Sequence, residues 1–114
     1  APERAAAGSV VRHDERYVSF AWDCALPIDA ARLRDAVARL PPSLLRGKGF
    51  VHVLQAPQDQ GIFHLVGRRA TLTRGGPWRD RPRTRLVFIG EPSTGLRADT
   101  VALLDAASLT GVQM

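Results

Sequence analysis

Alternating apolar and polar positions mark the first strand that the sequence predicts, RYVSFAWDC over residues 16–24. The apolar positions are Val18, Phe20, Trp22 and Cys24. A period of two residues is typical of a strand with one buried face. Pro27 ends the pattern, so the strand is expected to stop before it.

Two later segments have helical spacing instead. The first follows Asp29, a good N-cap residue, and ends at Pro41-Pro42. Its apolar positions are Ala30, Leu33, Val37 and Leu40. The second is LRADTVALLDAASL, residues 96–109, with Val101 and Leu104 along one side.

Four short strands are predicted between the two helices. Their sequences are GFVHVLQ (49–55), GIFHLVG (61–67), RATLTRG (69–75) and TRLVFIG (84–90). The last is a continuous apolar run, which suits a central position in a sheet. Together the elements predict an α+β two-layer sandwich, with a mostly antiparallel sheet of four to five strands and two helices on one face. Residues 1–15 are predicted to be a linker, 16–110 the domain and 111–114 a tail.

Composition agrees with one globular domain of 114 residues, 45% hydrophobic and 24% charged. The lone Cys24 excludes an internal disulfide, and no secretory signal or membrane segment is evident. A cytoplasmic setting is therefore the expectation. The chain begins without methionine in an Ala-rich segment, which suggests a piece of a longer polypeptide. The net charge is +5, carried by scattered arginines and a single lysine, Lys48.

The segment Gly47-Lys48-Gly49 raises the question of phosphate binding. A P-loop needs a strand before the glycines and a helix after the lysine. Here the order is reversed, because a helix precedes and a strand follows. The sequence favours a structural role, in which the glycines permit close backbone approach and Phe50 anchors the strand in the core.

The histidines offer a weak candidate for a metal site. His52 and His64 are predicted in strands, where histidines usually serve a structural role. If both shared a face, they could form a weak zinc site with Cys24 or a carboxylate. His13 lies in the small cluster His13-Asp14-Glu15 of the predicted linker. A hydrolase built on His52 or His64 is the least favoured interpretation, because no G-x-S-x-G elbow is present.

One stretch, Arg74 to Arg85, concentrates positive charge around Trp78. The arginines beside it are Arg79, Arg81, Arg83 and Arg85. Arginines could contact phosphates while the tryptophan stacks on a base, so a small basic nucleic-acid-binding module is the alternative function. The competing interpretation is an ordinary basic loop, because Gly75-Gly76-Pro77 is turn chemistry and a following tryptophan often caps a core.

Several of these segments, in this order, resemble the C-terminal domain of the CobW family of P-loop GTPases, which includes cobalamin synthesis proteins and zinc or cobalt metallochaperones. The resemblance rests on RYVSFAW, on ARLRDAVARLPPSLLRGKGFVHV, on GGPW and on RTRLVFIG, and it spans roughly residues 13–109. Family members often carry a histidine-rich linker before this domain, and the cluster at His13 is similar to a short form of it.

The resemblance implies a non-catalytic accessory domain that serves protein interaction or regulation in metal delivery or cobalamin synthesis. An N-terminal GTPase domain of the same chain, with its P-loop and C-x-C-C motif, would bind GTP, Mg²⁺ and zinc or cobalt. This fragment would need no cofactor of its own. The expected partners are that GTPase domain and, as a candidate, a metalloprotein client; no membrane is expected, and nucleic acid is the less favoured alternative. The interface candidates are Lys48, Phe50, Trp78 and Arg85.

Overall fold

The computed structural model describes residues 10–14 and 16–109 of the chain, and side chains within residues 16–108. Six strands and two helices make up the described chain. The strands are β1 Val10–Asp14, β2 Tyr17–Cys24, β3 Leu44–Val51, β4 Asp59–Val66, β5 Arg69–Pro77 and β6 Thr84–Gly90. The helices are α1 Ala30–Ala38, between β2 and β3, and α2 Leu96–Leu109, after β6.

One antiparallel sheet contains all six strands in the order β1-β2-β6-β3-β4-β5. The α+β two-layer architecture and the five predicted strands are confirmed. The sheet exceeds the predicted four to five strands by one, because β1 pairs with β2. This strand lies within the stretch predicted as a linker, where the sequence shows no clear alternation.

Both helices pack on one face of the sheet and enclose the core. The central aromatic residue is Phe88 of β6, which is fully buried, with Phe20 at 5.6 Å and Phe63 at 6.4 Å between ring centroids. The indole N–H of Trp22 donates to Oδ1 of Asp105 at 2.8 Å, which ties α2 to β2. The helices contribute five buried residues to the same core cluster: Leu33 and Ala36 of α1, and Leu96, Leu104 and Ala107 of α2.

The start of β3 differs from the prediction. The strand begins at Leu44, so Gly47-Lys48-Gly49 lies inside it and not at a helix-to-strand junction. Glycine is a weak strand former, and the two glycines interrupt the residue pattern that would predict a strand here. His52 is predicted within the strand but lies just beyond it, where its backbone N–H donates to Thr84 Oγ1 at 2.9 Å and its carbonyl accepts from Ile28.

Helix α1 is capped by a pair of side chains, as the sequence predicts for Asp29. The Asp29 carboxylate accepts from the Arg32 backbone N–H at 3.1 Å and from Gln55 Nε2 at 2.6 Å, while Gln55 Oε1 accepts from the Ala30 N–H. The Gln55 hydrogen bond, followed by that of Arg32, lowers the pKa of Asp29 below its ordinary value of 3.8.

This cap predicts a pH-dependent contribution to stability. A lowered folded-state pKa stabilises the fold above the ordinary value of 3.8, and the contribution is lost as pH falls through the lower folded pKa. We expect Asp29→Ala to lower the urea midpoint at pH 7, with the difference from wild type shrinking below pH 3.8. Asp35→Ala, which removes an exposed acid of the same helix, is the control. An equal loss at all pH values would contradict the role of the carboxylate.

Within the residues that the structure describes, neither helix is long and apolar enough to cross a membrane.

Candidate functional site

The sheet face opposite the helices, here called the open face, carries three cross-strand rows of side chains. Each row runs across β2, β6, β3, β4 and β5 in that order. The first row is Asp23, Arg85, Phe50, Ile62 and Thr73. The second is Ala21, Val87, Lys48, His64 and Thr71. The third is Ser19, Ile89, Arg46, Val66 and Arg69.

Apolar side chains on the open face are exposed in the middle of the sheet. Phe50 is 45% exposed, Val66 57% and Val87 38%, while Ile62 and Ile89 are half-buried. Strand β6 is apolar on both faces, because its even-numbered positions point into the core and its odd-numbered ones point away from it. A strand with this pattern is typical of a sheet that is covered on both sides. The open face therefore has the composition of a contact surface.

Positive charge is concentrated near the centre of the same face. Arg46 and Lys48 are exposed, and neither has an ion pair among the residues that the structure describes. The acid on this face, Asp23, is already paired with arginines. Its carboxylate accepts from Arg85 Nη1 at 2.8 and 3.0 Å and from Arg83 Nη2 at 3.4 Å. The unpaired cations favour an acidic partner.

Two open hollows flank Lys48 on this face. One, of about 270 Å³, extends toward Val66 and Ile89, and the other, of about 400 Å³, extends toward Phe50 and Arg85. The side chains that line both hollows are Lys48, His64 and Val87. The two hollows therefore adjoin at these three side chains and can receive side chains of a docked protein.

The two glycines beside Lys48 fix its position, because they hold β3 tightly against β6 and the core. A Cβ atom at Gly47 would lie 2.7 Å from Cδ1 of the Phe88 ring. Gly49 has φ +152°, and its Cβ would overlap the backbone carbonyl oxygen of Arg85. Close approach thus explains both glycines, as the sequence predicts. Alternation then directs Lys48 to the open face.

Three of the four residues predicted for the interface lie together. Lys48, Phe50 and Arg85 are neighbours in the first two rows, since Phe50 pairs with Arg85 and is two residues from Lys48. Phe50 does not anchor the strand in the core as predicted, because it has the same strand parity as Lys48 and is 45% exposed. The outward apolar residues Val66 and Val87 were not among the predicted site residues, because strand parity and not residue type identifies them.

Trp78 lies beyond the end of β5 and not in the three rows. Its ring meets His52 edge-on at 6.1 Å, and its backbone N–H donates to the Gln58 carbonyl. The indole is half-buried, so only part of its surface is open to a partner. The arginines that follow it, Arg79, Arg81 and Arg83, are all exposed, and Arg83 also lies 3.4 Å from the Asp23 carboxylate. Packing of Trp78 against His52 weakens the nucleic-acid interpretation, which stays a prediction.

Of the four candidate metal ligands, the three whose side chains the structure describes are not brought together. Cys24 packs against the core on the helix side, and its thiol donates to the Leu26 carbonyl. His64 is exposed on the open face, and His52 lies against Trp78. The side chain of His13 lies outside the described residues. No group of three or more His, Cys, Asp or Glu side chains that could hold a metal ion occurs in the part of the chain described.

The fold defines a class: a small α+β domain whose antiparallel sheet is covered by helices on one face. The sequence matches the family described as the cobalamin synthesis protein cobW C-terminal domain over residues 17–107. The chain belongs to this family, which confirms the resemblance. No curated protein matches the chain significantly.

Solved structures show the same fold. The Zn(II)-bound YjiA GTPase from E. coli superimposes with a TM-score of 0.68 at 22% identity, covering 81% of this chain and 30% of that one. A Zn(II)-bound triple mutant of YjiA GTPase gives a TM-score of 0.65 at 21% identity, with the same coverage. The chain thus spans 30% of the length of both structures.

Proposed function

We propose that this chain is the non-catalytic C-terminal accessory domain of a CobW-like GTPase that delivers zinc or cobalt to a client protein or serves cobalamin synthesis. GTP, Mg²⁺ and the transported metal would be bound by the N-terminal GTPase domain of the same polypeptide, in the cytoplasm. Family membership supports the accessory role. The zinc in the YjiA structures supports a link to metal handling.

The partner that we assign to the open face is the GTPase domain. The observation that carries this assignment is the apolar outward side of β6, where Val87 and Ile89 lie in the centre of the sheet. Central apolar residues on a helix-free face are stabilised when another layer covers them. Lys48 and Arg46 add a cationic centre that an acidic surface of the GTPase domain would complement.

A charge reversal at Lys48 tests this assignment. We expect Lys48→Glu to weaken binding of the separately purified GTPase domain by about tenfold or more, because a central residue of a contact is fully desolvated on docking. Binding can be measured by calorimetry at two salt concentrations. The variant should keep the wild-type thermal midpoint, since Lys48 is exposed and has no ion pair among the described residues.

The matched control is Arg34→Glu, the same charge reversal at an exposed position of α1, on the other side of the sheet. It should bind the GTPase domain as wild type does. Equal affinity of Lys48→Glu and wild type would contradict the assignment. If the GTPase domain does not bind but a metalloprotein client does, and Lys48→Glu abolishes that binding, the open face is a client surface instead.

A further inference from the structure

The two hollows of the open face follow one another along β3. The hollow near Phe50 and Arg85 lies between the first and second rows, and the hollow near Val66 and Ile89 lies between the second and third. Each is lined by side chains of β6, β3 and β4. Successive rows are two residues apart along a strand, so the hollows are offset along β3 by about 6.8 Å. Three neighbouring strands span about 10 Å, which sets the width of both hollows.

These dimensions fit one α-helix that lies along β3. Side chains at positions i and i+4 of a helix lie on the same side and are about 6 Å apart along its axis. A helix with its side chains is also about 10 Å across, which matches the width from β6 to β4. Two apolar side chains four residues apart on one helix can therefore enter the two hollows.

Other elements fit this face less well. Alternate residues of an extended segment have a similar spacing, but a single strand laid flat on the sheet would leave its backbone N–H and C=O groups without ladder partners. A second sheet would cover Arg46 and Lys48 together with the apolar residues, which would bury both charges in an apolar layer. A helix satisfies its own backbone groups and contacts the face through one stripe of side chains.

The cations on this face determine the polar side of such a helix. Lys48 lines both hollows, and Arg46 lines one of them. Among the described residues, neither cation has an ion pair and no acidic side chain lines either hollow. The long aliphatic stems of both cations can lie beneath a helix while the charged groups extend to its flanks. Acidic residues beside the apolar stripe would meet them there.

We propose that the open face receives a single amphipathic helix of the GTPase domain, which lies along β3. Its apolar residues at positions i and i+4 enter the two hollows, and acidic residues beside them meet Lys48 and Arg46. This docking mode rests on the proposed function, which supplies the GTPase domain as the partner. With the helix in place, the sheet becomes the middle of three layers, and the outward apolar side of β6 is covered.

Two alanine-rich peptides of about 18 residues, long enough to be partly helical in water, test this docking mode on the 114-residue chain. Both contain two leucines and the same glutamates. The leucines are at i and i+4 in the first peptide and at i and i+2 in the second, where a helix directs them to opposite sides. We expect the first peptide to bind about tenfold or more tightly than the second, as measured by fluorescence anisotropy. Equal binding, tighter binding of the second peptide, or no saturable binding of the first would overturn the helix.

Substitutions then locate the peptide on the open face. Lys48→Glu should weaken binding of the first peptide by about tenfold, and a peptide with lysines in place of the glutamates should recover that loss. Arg34→Glu, at an exposed position of α1 on the other side of the sheet, is the control and should bind the first peptide as wild type does. Binding that is lost in Arg34→Glu but kept in Lys48→Glu would overturn the site.

Competition separates this docking mode from the proposed function. The first peptide should displace the GTPase domain from the wild-type chain, and simultaneous binding of both would contradict the assignment of the helix to that domain. If the GTPase domain binds and Lys48→Glu weakens its binding, but the peptide does not bind, the helix is wrong and the proposed function stands. If the peptide binds at the open face but the GTPase domain does not, the proposed partner is wrong and helix docking stands.

Discussion

Replacement of Gly49 by alanine is expected to be among the most destabilising single changes in this domain. The φ of +152° is strained for any residue with a side chain, and the new Cβ would overlap the carbonyl oxygen of Arg85. The added atom would also lie 3.0 Å from Cα of Leu86. Neither contact can be relieved by a side-chain rotation, because both involve the backbone of β6.

The expected loss is about 2–6 kcal/mol, since backbone strain and overpacking each cost about 1–3 kcal/mol. Small domains have a total stability of about 5–15 kcal/mol, so the variant should lose a large share of its stability. The measurement is the free energy of unfolding from urea titration followed by circular dichroism. Gly76→Ala is the control, because no heavy atom lies within 4 Å of a Cβ at that exposed position of β5. Equal stability of the two variants would show that β3 does not approach β6 so closely.

Removal of the Phe88 ring is expected to be comparably severe. Phe88 is fully buried and contacts the rings of Phe20 and Phe63. Truncation of a buried phenylalanine to alanine costs about 3–5 kcal/mol, because apolar contacts are lost and a cavity remains. The Phe88→Ala variant should therefore unfold at a much lower urea concentration than the wild type.

The same substitution provides a specific test of Gly47. In the wild type, Gly47→Ala should cost about 1–3 kcal/mol, because its Cβ would lie 2.7 Å from the Phe88 ring. In the Phe88→Ala background the ring is absent, so adding Gly47→Ala should cost much less. A double-mutant cycle measures this coupling. Additive losses would contradict the packing of Phe88 over Gly47.

Much of the fold could be predicted from residue periodicity. The alternation of Val18, Phe20 and Trp22 defines β2, and the spacing of apolar residues locates α2 at residues 96–109. Asp29 predicts where α1 begins, and Pro41-Pro42 predict that it ends before them. Both predictions succeed because capping and the effect of proline depend on neighbouring residues alone. Local sequence patterns therefore predict those helices and strands whose position depends mainly on their own residues.

The beginning of β3 could not be predicted in this way, because it depends on tertiary contacts. Gly47 and Gly49 are poor strand residues in isolation and are accommodated by Phe88 and by the backbone of β6. The strand order was likewise not predictable, since β6 enters between β2 and β3, which are far from it in sequence. Pattern alone does not identify which strands pair.

The candidate site was predictable in part. Lys48, Phe50 and Arg85 stand out by residue type and do lie together on the open face. Trp78 stands out for the same reason but lies against His52, a contact that no local pattern indicates. The outward residues of β6 are harder to find, because a continuous apolar run is also typical of a strand buried on both sides. That run marks the surface that we expect a partner to cover.

The most direct test of the proposed role is an amide chemical-shift titration of this chain with the purified GTPase domain that we assign to the same polypeptide. We expect shifts to concentrate on β3, β4 and β6, around Lys48, Phe50, His64 and Val87, and to need about tenfold or more GTPase domain to appear in Lys48→Glu. Shifts confined to α1 and α2, or no shifts at saturating GTPase domain, would contradict the claim that the open face is the surface through which this domain acts.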